Sequence, residues 1–267
     1  MGKGGKEELR VGACLHWNQS HLLKEAGGDF IELPLSEVAR LEQEEFNNLL
    51  SSLSLPSEAF NIFLPSSLKI VGENVNWEAI EGYLDFALGR AKLLGGEVIV
   101  FGSGGQRRIE SDFPQEKVME QISYFLLKAC EVAEKFELKI AIEHLNRDET
   151  NTINRVSDAL QLAEKGGKQN LGVIVDIYHL LRENEGWGVM ERAGKKLFHI
   201  HISDPQRNPP LGKERILSKF LAFLKKIGYE NRISIESRWQ NIEEELPKAI
   251  ENLKSIWRGV MNDEPHT

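Results

Sequence analysis

Short apolar runs alternate with longer amphipathic stretches from one end of the chain to the other. The runs predict strands over Leu9–Leu15, Asp29–Leu33, Ala59–Leu64, Glu97–Phe101, Leu138–Glu143, Leu171–Asp176, Leu197–Ser203 and Arg232–Glu236. The intervening stretches carry helical periodicity. Over Trp77–Leu94, apolar side chains recur at Ile80, Tyr83, Leu84, Ala87 and Leu88. Over Gln115–Phe136, Val118, Ile122, Phe125, Leu126, Ala129 and Val132 form one face. Glycines stand between helix and strand at Gly27-Gly28, Gly95-Gly96, Gly166-Gly167 and Gly228, where a helix ends most easily in the left-handed conformation.

Eight strand-then-helix units with no break in composition predict an α/β fold with an all-parallel sheet. Eight is also the number that closes a single (β/α)₈ barrel. The barrel is expected over residues 9–258, with a flexible N-terminus over 1–8 and a tail over 259–267. An open doubly wound sheet is the other arrangement of such units, but no GxGxxG follows the first strand.

Composition narrows the class. The chain has 267 residues, 41% hydrophobic and 28% charged, which is ordinary for a water-soluble domain. A net charge of −8 argues against non-specific nucleic-acid binding, which rests on Lys and Arg neutralising phosphates. Cys14 and Cys130 form no CxxC, so neither a disulfide framework nor a cysteine zinc site is expected. No apolar run is long enough to span a bilayer, and Met1–Arg10 has no secretory h-region. The expectation is a cytoplasmic protein with no membrane or nucleic-acid partner, with self-association left open.

In such barrels the chemistry sits at the C-terminal strand ends. The last four strands end on Ile-Glu143, Val-Asp176, Ile-His201 and Ile-Glu236. A single glutamate at a strand end is ordinarily a solvated rim residue. Four such ends on neighbouring strands must converge, and three carboxylates in a partly dry mouth repel one another unless a cation compensates them. One divalent ion on Glu143, Asp176, His201 and Glu236 is therefore expected. The O₃N set suits Mn²⁺, Mg²⁺, Co²⁺ or Zn²⁺. His199 shares a face with His201, and either reads equally as a hydrogen-bonded core histidine.

Flanking residues add candidates. His179 lies three past Asp176, Glu149 six past Glu143 and Arg207 six past His201. His179 is suited to a substrate hydroxyl and reads as readily as a rim histidine; Arg207 is suited to an anionic or hydroxylated substrate end, although an arginine in such a loop is most often solvated. The glycine-rich stretch Gly102–Arg108 reads either as an anion cradle or as a tight turn; it lacks the Lys-Ser/Thr of a P-loop. His16, Trp17, Glu32, Asn61 and Phe63 are candidates for the substrate side of the mouth.

Glu143-x₅-Glu149, Asp176-x-x-His179, His201-x₅-Arg207 and Glu236 together resemble the xylose-isomerase-like TIM-barrel superfamily. The similarity is strongest to the branch with D-tagatose 3-epimerase, other ketose 3-epimerases and hydroxypyruvate isomerase. The resemblance runs from about Val11 to Trp257. It implies one ion, most often Mn²⁺, on Glu143, Asp176, His201 and Glu236, with His201 rather than His199 as the ligand. It implies Glu143 and Glu236 as the acid/base pair, and His179, Glu149 and Arg207 as substrate contacts. The implied activity is isomerisation or epimerisation of a small sugar, sugar phosphate or hydroxy-ketone, by proton transfer through an enediolate that the ion stabilises.

Two alternatives share the scaffold. A dehydratase of the inosose or dehydroshikimate type begins with the same proton abstraction. An apurinic/apyrimidinic endonuclease needs three zinc ions and histidines at the ends of strands three and four, and this chain has none between His21 and His144.

Overall fold

In the computed structural model, eight parallel strands hydrogen-bond in sequence order and β8 closes onto β1. Residues 8–110, 112–212 and 215–260 are described. The expectations for residues 1–7 and 261–267 lie outside them. The strands are β1 (Arg10–Cys14), β2 (Phe30–Pro34), β3 (Ser57–Asn61), β4 (Val98–Phe101), β5 (Lys139–Glu143), β6 (Leu171–Asp176), β7 (Leu197–Ile202) and β8 (Arg232–Ile235). The helices are α1 (Ser20–Glu25), α2 (Leu35–Arg40), α3 (Gln43–Ser52), α4 (Trp77–Leu93), α5 (Gln115–Lys135), α6 (Val156–Gly166), α7 (Ile177–Arg182), α8 (Gly188–Ala193), α9 (Arg215–Lys226) and α10 (Ile242–Gly259). This is the single (β/α)₈ barrel that the alternation predicts. Among the described residues, no helix is long and apolar enough to cross a membrane.

The helices bury the faces that periodicity assigns them. On α5, Val118, Ile122, Phe125, Leu126 and Ala129 are all buried against the barrel. Gly27, Gly95, Gly167 and Gly228 have φ of 80°, 95°, 65° and 69°, so the predicted helix stops hold. One strand is shifted. β3 covers Ser57–Asn61 rather than Ala59–Leu64. Ile62 takes φ 42°, which ends the extended run, and Phe63 and Leu64 are buried beyond it as a loop in the core.

Inside the barrel, Phe30, Ala59, Val98, Val100, Ala141, Ile174 and Phe198 form a cluster separate from the outer core. The two phenyl rings need space that neighbouring strands provide. A β-carbon on Gly12 of β1 would lie 2.6 Å from the Phe30 ring, and one on Gly172 of β6 would lie 2.5 Å from the Phe198 ring. Below this layer, Arg10 and Arg232 pair with Glu58 and close the N-terminal end. Above it the interior turns polar, with Glu32, His199, His201 and Ser234 all buried. That layer supports the mouth.

Candidate metal centre

Glu143 ends β5, Asp176 ends β6, His201 lies one residue before the end of β7, and Glu236 follows β8 directly. Each offers one donor atom, and the four atoms lie within 4.8 Å of one another. The structure therefore brings together all four residues that the strand ends single out. A surface cleft of about 990 Å³ between α5 and α6 lies on the outer helical layer and, among the described residues, brings no such donor set together.

Each donor is oriented by a second contact. Asp176 also caps α7, because its Oδ1 accepts a hydrogen bond from the Tyr178 amide at 2.7 Å. Its Oδ2 is left facing Arg207 and His179, at 3.3 and 3.6 Å. His201 is fixed from below, with Nε2 2.9 Å from Glu32 Oε1. Its Nδ1 then points up, 2.9 Å from Glu236 Oε2 and 3.4 Å from Glu143 Oε1. Glu143 is held through its backbone. The fully buried Arg107 donates from Nη2 to the Glu143 carbonyl, from Nε to Gly102 O and from Nη1 to Thr152 O, at 2.7–2.8 Å. Gly102, just past β4, leaves open the space that the Glu143 carboxylate fills.

Two of the facing atoms, His201 Nδ1 and Glu236 Oε2, are buried without a properly directed hydrogen bond. They are close but not aligned, as lone pairs aimed at a common point would be. Buried polar atoms ordinarily have partners, and this donor group is one that could hold a metal ion. The three-oxygen, one-nitrogen donor set suits a first-row divalent ion or Mg²⁺. A second ligand-type group, Cys14, Glu32 and His201, shares the same imidazole. Its Glu32 is already engaged on both oxygens, by His201 Nε2 and by His199 Nε2 at 2.8 Å.

The electrostatics follow from crowding. Burial, with Glu236 and Glu143 adding to it, pushes the Asp176 carboxyl well above its usual range. Burial also raises Glu143, partly offset by His201. For Glu236 burial opposes ionisation, but His201 and Arg207 outweigh it and hold the carboxyl well below its usual range. Burial works against charge on His201 too, yet Glu32 and Glu236 raise its pKa well above that of a free imidazole. Three carboxylates in one dry pocket thus compete for too little positive charge.

The flanking candidates also meet at the mouth. His179 on α7 is fully buried, and its Nδ1 accepts the Asn146 amide at 3.2 Å. Its Nε2 faces the site, 3.3 Å from Arg207 Nη1 and 3.9 Å from Glu149 Oε2. Arg207 reaches Glu236 Oε2 at 2.9 Å and lies over the Tyr178 ring at 4.8 Å. Its left-handed backbone, φ 66°, is held by its amide bonding to Asp204 O and its carbonyl accepting from the Arg238 amide.

The other half of the mouth forms a cleft of about 390 Å³ that includes Cys14, His16, Glu37, Asn61, Trp239 and Glu236. Asn61 Oδ1 and Trp239 Nε1 are buried there without partners. No described lysine or arginine lines it. Several sequence-based candidates settle elsewhere. Phe63 packs in the core against Phe101 and Phe125, at 6.5 and 5.8 Å between centroids, and does not line the cleft. Trp17 packs against the core and the His16 ring. Glu32 supports His201 from beneath. The Gly102–Arg108 stretch is a turn pinned by Arg107, which faces three carbonyls instead of an anion. Sequence reasoning passed over Arg107, Asn146 and Trp239. Their only signal was position, near strand ends four, five and eight.

Residues 21–256 match the protein family described as the xylose isomerase-like TIM barrel. The chain is 25% identical to L-ribulose 3-epimerase of Mesorhizobium japonicum over 245 residues, which is 90% of this chain and 80% of that one. It is 28% identical to a probable ketose 3-epimerase of Synechocystis sp. over 147 residues, 55% of this chain and about half, 49%, of that one. In fold it is similar to D-allulose 3-epimerase of Methylomonas sp., solved in complex with D-allulose. The TM-score is 0.78 at 20% identity, covering 94% of this chain and 98% of the other.

Proposed function

Because this chain belongs to the xylose isomerase-like TIM-barrel family, we propose that it isomerises or epimerises a small neutral sugar or hydroxy-ketone with one divalent ion on Glu143, Asp176, His201 and Glu236. The observation that carries this reading is the convergence of Glu143 and Glu236 on His201 Nδ1, at 3.4 and 2.9 Å, in one buried mouth. The similarity to ketose 3-epimerases agrees with it. Mn²⁺ is the first choice of ion, and Mg²⁺, Co²⁺ and Zn²⁺ fit the same donors.

When bound, the ion polarises a substrate carbonyl and favours negative charge on its oxygen. The remaining work falls to the protein. Glu143 and Glu236 rise from strands three apart and offer oxygens within 4.8 Å of one another, so one carboxylate takes the proton α to the carbonyl and the other returns one. Return to the same carbon inverts it; return to the neighbouring carbon exchanges aldose and ketose. His179 presents its Nε2 to a substrate hydroxyl. Arg207, bracketed by Asp176 and Glu236, donates to a hydroxyl at the same edge.

The cleft in the other half of the mouth supports a neutral substrate. It offers an unpartnered acceptor on Asn61 and an unpartnered donor on Trp239, in the same cleft as Glu37. Hydroxyl groups satisfy both, whereas a phosphate dianion there meets carboxylates and no described cation among the lining residues. The test is turnover of a panel of ketoses, aldoses and hydroxy-ketones alongside their phosphate esters, after loading with Mn²⁺. Interconversion of neutral ketoses is expected. Turnover of the phosphate esters alone, or loss of water from a cyclic ketone without isomerisation, would overturn the reading.

A further inference from the structure

Glu32 is a glutamate with no solvent exposure, in the middle of the otherwise apolar strand β2. An isolated buried carboxylate is costly, so its partners explain its presence. They come from the far side of the barrel. Oε1 lies 2.9 Å from His201 Nε2, and Oε2 lies 2.8 Å from His199 Nε2. His199 Nε2 also lies 3.1 Å from Ser234 Oγ on β8. Cys14 Sγ, on β1, is 3.9 Å from His201 Nε2.

We propose that Glu32 is a positioning residue for the metal centre: by accepting a hydrogen bond on each oxygen, it fixes the Nε2–H tautomer of His201 and aims the Nδ1 lone pair at Glu143 and Glu236. An ionised carboxylate accepts and never donates, so both imidazoles must present N–H to it. The Nδ1 of His201 is then the nitrogen that gives up its proton when an ion binds. A carboxylate behind a ligating imidazole orients the ring and raises its basicity. His199 takes the second oxygen and so stays below the mouth as a support. The geometry also tells against Glu32 and Cys14 forming a second ion site with His201, because such an ion would have to displace both hydrogen bonds from the carboxylate.

This inference rests on the metal-site reading above, and titration with Co²⁺ separates the two. E32Q keeps the volume but has one acceptor oxygen, so one of the two imidazoles must reverse its tautomer. E32D keeps both acceptors and draws them back by one methylene. Wild type is expected to take one Co²⁺ per chain. E32Q should bind it on the order of 10- to 100-fold more weakly, with altered ligand-field absorption at full occupancy, and E32D should fall between them. A merely structural Glu32 would lower the melting temperature of the metal-free protein and leave affinity and spectrum unchanged. That result in E32Q, or in E32D if E32Q does not fold, overturns the inference. Two Co²⁺ per wild-type chain falling to one in E32Q would overturn it as well, making Glu32 a ligand. No Co²⁺ uptake by wild type would overturn the metal-site reading itself, before any variant is compared.

Discussion

Gly102 stands against Glu143 so closely that a β-carbon on it would collide with Glu143 Oε2. The glycine is thus part of the site, because the carboxylate occupies the space a side chain would take. Gly102→Ala meets only the far end of a flexible side chain, so the fold should tolerate it, with stability within about 1 kcal/mol of wild type. The Glu143 carboxylate must move. A shift near 1 Å in a reacting group lowers kcat/KM on the order of 100-fold. Urea denaturation and steady-state kinetics on one preparation check both halves; unchanged kinetics would show that the carboxylate has slack.

Arg107 answers for the backbone behind Glu143. Burial, partly offset by Glu143, lowers its pKa to about 10, which still leaves it charged at neutral pH. Arg107→Met strands the carbonyls of Gly102, Glu143 and Thr152. The expected loss is about 3 kcal/mol or more in urea denaturation. Arg107→Lys should recover only part, since an ammonium does not match the planar fork. A methionine variant as stable as wild type would mean that water takes over all three carbonyls.

Trp239 tests the neutral-substrate cleft. Its buried Nε1 has no partner within the protein, so a substrate hydroxyl is assigned to it. Trp239→Phe removes that donor and leaves the proton-transfer groups in place. KM should rise about 2- to 10-fold with kcat little changed. A fall in kcat at constant KM would place Trp239 in the chemistry instead.

Much of this was legible in the sequence, for reasons tied to particular residues. Glu143, Asp176, His201 and Glu236 stood out because each interrupts an apolar run where a barrel strand must end. The glycine stops were legible because a left-handed residue is a local requirement. Glu32 also interrupts an apolar run, but its partners lie 167 and 169 residues away. Only closure of the barrel brings β2 opposite β7. Arg107 was hidden for a different reason. Arginines in glycine-rich loops are usually solvated, and nothing local marks one that turns inward onto three carbonyls. The misplaced end of β3 came from reading Phe63 and Leu64 as strand, when their burial belongs to a loop beyond Ile62.

His144 makes acid stability a further test. It is fully buried, with no well-directed hydrogen bond on either ring nitrogen, and burial together with the Arg107 charge outweighs the Ile174 backbone contact and lowers its pKa to about 3. In the unfolded chain the imidazole titrates near 6.5. Between these values the unfolded state binds the extra proton. Stability from this group is therefore complete above about pH 6.5 and is lost as pH falls toward 3, by up to about 1.4 kcal/mol per pH unit. His144→Phe removes that slope and two buried polar atoms. His179 and His199, lowered by burial to about 2 and about 4, keep part of the acid limb. Urea midpoints of the metal-free protein from pH 4 to 7 should vary less in the variant. An identical dependence would show that His144 is hydrated or protonated in the folded state.

The most direct measurement of the central claim is deuterium incorporation at the substrate α-carbon in D₂O, followed by proton NMR on a neutral ketose. The Mn²⁺-loaded protein should exchange that hydrogen, and a chelator should abolish the exchange. Glu143→Gln and Glu236→Gln should each reduce it by at least about 100-fold while remaining folded. Exchange that persists in both variants, or turnover with no deuterium incorporated, would contradict proton transfer between these two glutamates.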